Sequence, residues 1–189
     1  MKALLFDYGA GNLHSLTRAL EHLGVQVAVE TDPLLCARSD QLLVLPGVGA
    51  FGSAAARLAP GREALRAQLL AGRPALGICL GMQLFFARSE EGPGLGLDTL
   101  PGTVRKLTTR RCPHIGWTHV EGFTQMYFAH SYACHPADAS LVTAWADHEG
   151  EQVAGIVRAG RMAGTQFHPE KSSAAGLALL EQLLREVTS

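Results

Sequence analysis

The sequence predicts an α/β protein built on an open, mixed, mostly parallel sheet, with helices on both faces and an antiparallel extension. Three observations predict it. Short continuous apolar runs alternate with leucines at helical spacing up to about Glu90, and each run stops at a turn segment. The helical spacing then lapses, and short β-like stretches take its place. A last apolar run followed by an amphipathic repeat closes the chain.

Each element follows from its residues. Ala3–Phe6 is apolar throughout, as in a strand covered on both faces. Leu13, Leu16, Leu20 and Leu23 recur at helical spacing, with Asn12 where an N-cap belongs and Gly24 as the stop. Val25–Val29 reads as a second strand and Leu42–Leu45 as a third, ending at Pro46-Gly47. A helix around Arg62–Leu70 precedes a fourth strand, Ala75–Ile78, and another helix starts at about Leu80. Gly92–Gly96 is a loop. The stretches Thr103–Leu107, Met126–Ala129, Leu141–Trp145 and Val153–Val157 then extend the sheet in antiparallel or mixed fashion. Met162–Phe167 is the last strand, and Leu177, Leu180, Leu184 and Val187 mark the closing helix. Without an internal repeat or linker, residues 1–189 are expected to form one domain.

Composition narrows the function. A hydrophobic share of 47% against 17% charged residues argues for a packed core rather than disorder. Sixteen Lys and Arg nearly balance seventeen Asp and Glu, so nothing favours a polyanionic partner; the basic residues Arg105, Lys106, Arg110 and Arg111 read as a solvated loop rim. The N-terminal apolar run is too short for an export signal, and no stretch is long enough to span a bilayer. Four scattered cysteines, Cys36, Cys79, Cys112 and Cys134, form no C-x-x-C pair and read as reduced thiols, which points to the cytoplasm. The pairs Cys112/His114 and Cys134/His135 have no closed tetrahedral spacing, so no metal is expected.

Three segments carry candidate chemistry. Gly77-Ile78-Cys79-Leu80-Gly81 joins a strand to a helix with the form of a nucleophile elbow, cysteine replacing serine. The helix start favours an anion there, and the Leu80 amide could donate to an oxyanion. Alone, Cys79 is as readily a small buried hydrophobe. Gln166-Phe167-His168-Pro169-Glu170 ends the last strand; in extended chain His168 and Glu170 point to one side, stiffened by Pro169. A carboxylate beside an imidazole fixes its tautomer, although an isolated His-Pro-Glu is more often a structural ion pair. Leu45–Gly52 carries three glycines within six residues, which suits either an amide-lined concavity or a plain turn. In an open α/β sheet, sites form beyond the carboxyl ends of the strands. Tyr8–Asn12, Pro46–Gly52, Cys79 and His168 each follow an expected strand, so parallel strands would gather all four on one edge. That joint placement favours chemistry: nucleophile Cys79, acid/base His168 and orienting Glu170.

The segments Gly77–Gly81 and His168–Glu170 resemble those of the class I, triad-type glutamine amidotransferases. Further segments are similar to the glutaminase subunits of imidazole glycerol phosphate synthases, over essentially the whole chain. They are Tyr8–Leu13, Leu45–Gly52, Gly77–Leu84, Pro113–Trp117, His130–Tyr132 and Gln166–Ser172. The resemblance implies a flavodoxin-like core, no cofactor, L-glutamine as substrate and a role in histidine biosynthesis. It also implies a TIM-barrel cyclase subunit as heterodimer partner, since such a barrel takes about 250 residues. Carried over by position, the amides of Val48 and Gly49 join Leu80 as oxyanion donors. Gln83, His130, Ser131 and Tyr132 face the amino-acid end of glutamine, and Tyr8, Asn12, Trp117 and Lys171 belong to the partner interface or its signalling. The chain departs from the family's pattern at Thr118, after Gly-Trp, at Ser173, and in a short stretch between Trp117 and Tyr127. Alternative readings are a related amidotransferase subunit serving another synthase, a free-standing cysteine hydrolase and a catalytically idle, partner-binding relative.

Overall fold

The computed structural model describes residues 1–9 and 13–189. In chain order they form β1 (Lys2–Phe6), α1 (His14–His22), β2 (Gln26–Glu30), α2 (Pro33–Cys36), β3 (Leu42–Leu45), α3 (Phe51–Leu58), α4 (Arg62–Leu70), β4 (Ala75–Ile78) and α5 (Leu80–Gln83). There follow β5 (Gly102–Lys106), β6 (His114–His119), β7 (Gln125–His130), β8 (Tyr132–Pro136), β9 (Val142–His148), β10 (Glu151–Ala159), β11 (Met162–Thr165) and α6 (Ser173–Thr188).

Among the described residues, seven strands make one open sheet in the order β2-β1-β3-β4-β11-β10-β9. The first five are mutually parallel, and β10 and β9 extend the sheet antiparallel. Successive strand side chains point to opposite faces. Accordingly, Ala3, Leu5, Leu42, Val44, Leu76 and Ile78 pack with α1 and α6. Leu4, Phe6, Leu43, Leu45 and Ala75 pack with α2, α3 and α4 on the other face. Both faces of these strands are covered, which is why their sequences are apolar without alternation. No helix among the described residues is long and apolar enough to cross a membrane.

Several expectations need correction. Of the four stretches expected to extend the sheet, only the last two do so, as β9 and β10. The first two pair instead in separate ribbons, β5 with β8 and β6 with β7. Strands β6 and β8 escape the pattern because Gly116, Pro136 and the polar His114, Thr118, His119 and His135 break their apolar runs. Helix α3 escapes because Phe51-Gly-Ser-Ala-Ala-Ala-Arg-Leu presents small residues where large periodic ones would mark a buried stripe. Helix α5 is a single turn. Arg105 and Lys106 lie on β5 rather than on a loop rim. The expected N-cap, Asn12, lies outside the described residues.

Candidate active site

Because β1, β3, β4 and β11 run parallel, their carboxyl ends share one edge, and the segments that follow them converge there. At the end of β4 the chain reverses into α5 through Cys79, whose φ of 48° and ψ of −103° lie outside the regions favoured by residues with a Cβ. The reversal is tight. A Cβ on Gly77 would stand 2.6 Å from the Gly81 backbone, and one on Gly81 would run into the Leu45 carbonyl. Glycine on both sides therefore lets α5 press against β3 and β4, holding Cys79 at the sheet edge. The Cys79 amide donates to the Thr165 carbonyl at 2.6 Å, tying the elbow to β11.

His168 is clamped by its backbone. Its amide donates to the Tyr127 carbonyl at 2.8 Å, and its own carbonyl accepts from the Ser172 hydroxyl at 2.6 Å. The Ser172 oxygen in turn accepts from the Tyr127 amide at 2.9 Å, locking the segment onto β7. The imidazole Nδ1 faces Glu170 Oε1 at 2.8 Å, with both side chains almost fully buried. Beyond β11 the chain is not extended as the sequence suggested: Pro169–Lys171 forms a 3-10 turn, and that turn brings the carboxylate back to the ring. Glu170 Oε2 is buried with no partner among the described residues, which leaves the imidazole as this carboxylate's counter-group. Burial pushes the His168 imidazolium toward deprotonation. Its hydrogen bonds to Cys79 and Glu170, together with their charge, outweigh that and raise it to about 9.

Gly47, after β3, fits against both groups: a Cβ there would stand 2.8 Å from His168 Cε1 and 3.1 Å from Cys79 Cβ. A cavity of about 340 Å³ opens over Cys79, lined by Val48, Gly49, Leu80, Gln83, His130, Ser131, Tyr132, His168 and Lys171 among others. That volume suits a small ligand. Leu80 opens α5, and the first amides of a helix lack partners within it.

The expected substrate and interface residues divide by environment. Gln83 Nε2 donates to the Tyr132 carbonyl at 2.9 Å, and His130 Nδ1 meets the same carbonyl at 2.9 Å. The carbonyl can only accept, so His130 carries its proton on Nδ1 and its Nε2 accepts from His114 Nδ1 at 3.0 Å. His114 Nε2 then accepts from the Thr118 hydroxyl at 2.7 Å. Burial pushes His114 down to about 3 and His130 to about 4, so both stay neutral. Trp117 is 52% exposed and Ile115 64%, while Lys171 is exposed at the cavity rim. Tyr8, expected at a partner surface, is buried instead, and its hydroxyl donates to the Pro46 carbonyl behind the glycine turn. Burial, and then the charge of Cys79, hold its phenol well above the usual range. Asn12 lies outside the described residues.

Sequence reasoning passed over three residues here. Gln166, wholly buried, points Nε2 at Cys79 Sγ from 3.4 Å. Ala129 lies across from it, its carbonyl 4.0 Å from the sulfur. Glu91 Oε2 accepts from the Phe51 amide at 2.8 Å and so caps α3 beside the glycine turn. Gln166 could have been found, since a buried glutamine two residues before a site histidine needs a polar partner. The other two act through backbone and long-range contacts that leave no local mark.

A family model described as glutamine amidotransferase class-I matches residues 4–187. The chain is 40% identical to imidazole glycerol phosphate synthase subunit HisH of Methanothermobacter thermautotrophicus, covering 95% of this chain and 96% of that one. It is 42% identical to the same-named subunit of Natronomonas pharaonis, covering 97% and 94%, and 41% identical to that of Chlorobaculum tepidum, covering 93% and 95%. Among solved structures, one described as a glutamine amidotransferase superposes with a TM-score of 0.75 at 16% identity, covering 98% of this chain and 99% of that one. PurLQS from Thermotoga maritima gives 0.69 at 19% identity, covering 97% of each chain. At these identities the superpositions speak for the fold.

Proposed function

This chain belongs to the class-I glutamine amidotransferases, and from that premise we propose that it is the glutaminase subunit of an imidazole glycerol phosphate synthase. It hydrolyses L-glutamine to glutamate and ammonia, and hands the ammonia to a separate TIM-barrel cyclase subunit. The observation that carries the reading is the meeting of Cys79 and His168 in one small cavity, with Glu170 bonded to the imidazole.

The thiolate of Cys79 attacks the side-chain amide carbon of glutamine, supported by the imidazolium that His168 and Glu170 maintain. The oxyanion that forms faces the Leu80 amide and the Val48–Gly49 turn, both at the cavity wall. Loss of one such donor typically costs about 3 kcal/mol of barrier. His168 gives its proton to the leaving nitrogen, and ammonia departs to leave a thioester. Water deprotonated by the same ring then releases glutamate. Gln83 Oε1 and the Ser131–Tyr132 segment receive the amino-acid end of the substrate. Trp117, exposed on β6, and Lys171, exposed at the cavity rim, contact the cyclase, and Tyr8 bears on it through the Pro46 turn that it holds. The cytoplasm keeps the four unpaired thiols reduced.

Glutamine hydrolysis measured with and without a cyclase subunit and its nucleotide substrate tests the assignment. Strong stimulation by that cyclase, and by no other synthase subunit, is expected. Full activity of the isolated chain on glutamine or on unrelated amides would favour a free-standing hydrolase.

A further inference from the structure

Four groups, the Tyr132 carbonyl, Gln83, Gln166 and Cys79, form one chain of hydrogen bonds that ends on the sulfur. The Tyr132 carbonyl offers no proton, so the group facing it from Gln83, at 2.9 Å, is the amide nitrogen. That nitrogen has a second hydrogen, directed at Gln166, 3.4 Å away, and it requires an acceptor there. Gln166 must therefore present Oε1 to Gln83 and Nε2 to Cys79 Sγ, at 3.4 Å. With the Tyr132 carbonyl fixed as acceptor, both amide orientations follow. His130 donates to the same carbonyl and adds a further anchor. Gln166 is wholly buried, so its amide has no water as an easy alternative, and Gln83, at the cavity wall, keeps its Nε2 on the Tyr132 carbonyl.

The chemistry at the sulfur gives this orientation its meaning. A thiolate in a buried site must be supplied with donors, because desolvation raises its free energy. The Ala129 carbonyl, 4.0 Å from Sγ, presents negative density to it and is a suitable partner only for the protonated thiol. Gln166 Nε2–H opposes that bias.

We propose that Gln166 is a further catalytic residue, a hydrogen-bond donor that stabilises and aims the attacking thiolate, with Gln83 as the positioning residue that fixes its orientation. The proposal rests on the reading of Cys79 as nucleophile. Gln166 thus adds a donor to the sulfur that approaches from the sheet, beside the imidazolium.

The test is the pH profile of Cys79 alkylation by iodoacetamide, followed by mass spectrometry of the Cys79 peptide from about pH 5 to about pH 10. It uses the full chain with the native residues, Gln166→Met, which keeps length but removes the donor, and Gln83→Met, which releases the orientation of Gln166. In Gln166→Met the rate at neutral pH should fall about tenfold and the profile should move upward by about one pH unit, the size of one charge-assisted hydrogen bond. Gln83→Met should move it the same way by less. In Gln166→Met, kcat should fall more than KM rises. A Gln166→Met profile superimposed on that of the native protein, at unchanged Tm, would overturn the assignment; if that variant does not fold, a superimposed Gln83→Met profile does so. If alkylating Cys79 in the native protein leaves glutamine turnover intact, the nucleophile reading falls as well. Superimposed profiles with turnover blocked by alkylation remove the role of Gln166 alone.

Discussion

His168 and His130 line one cavity, yet their partners drive them to opposite protonation states. Burial works against the charged form of both. His168 has Glu170 and Cys79 to outweigh that cost, whereas for His130 the Tyr132 carbonyl offsets burial only in part and the ring stays neutral. The sign of each contribution to stability follows. Below about pH 6.5 an unfolded chain protonates His114 and His130, while the native protein holds them neutral down to about 3 and about 4. Native stability therefore falls as pH drops through this window, by about 1.4 kcal/mol per pH unit for each histidine. The contribution of His168 is fully present below about pH 6.5 and is lost as pH rises toward about 9. Thermal unfolding across this range should show Tm falling on both sides of near-neutral pH. The acid limb should be shallower in His114→Phe, which keeps an aromatic ring stacked between Phe128 and His148. Identical acid limbs would remove His114 from this role. None of it was legible beforehand, because His114 and His130 meet only through the cross-strand register of β6 and β7.

Among the elements, the glycine turn after β3 and the elbow after β4 were legible because glycine and proline punctuate them within a few residues. The pairing of His168 with Glu170 was anticipated for a partly wrong reason: a 3-10 turn brings the two together, not an extended chain. The ribbon of β6 and β7 was half missed, although it holds His168 from outside the parallel sheet through the Tyr127 carbonyl. Gly47 links two of these elements. Its missing Cβ leaves the space taken by His168 Cε1, the Ile78 carbonyl and Cys79 Cβ. Gly47→Ala should displace sulfur and ring relative to each other, and displacement on the scale of an ångström costs about a hundredfold in rate. The expected result is a kcat lower by about that factor, with Tm lower by only a few degrees. A near-native kcat would show that the turn can yield without disturbing the two side chains.

For the molecule as a whole, the architecture is a doubly covered sheet whose parallel strands deliver four segments to one edge. That much follows from apolar runs too short for helices and too continuous for a half-exposed strand, together with the turn residues behind them. The second half was harder to read, because polar residues and Gly116 interrupt β6 and because β5 pairs with β8 about thirty residues along the chain, across the intervening β6–β7 hairpin. The two ribbons form the cavity wall opposite the elbow: Ala129, His130 and Tyr132 come from β7 and β8, and Ile115 from β6. Two exposed apolar side chains on that hairpin, Ile115 and Trp117, leave the cavity mouth bordered by a surface suited to a partner subunit. The most direct test is an acid quench of the chain, with the cyclase subunit proposed as its partner and isotope-labelled glutamine, followed by peptide mass spectrometry. A labelled glutamyl thioester on Cys79 that disappears with time is expected, with neither thioester nor glutamate from Cys79→Ala. A glutamyl adduct on another residue, or glutamate released by Cys79→Ala at the native rate, would contradict Cys79 as the nucleophile.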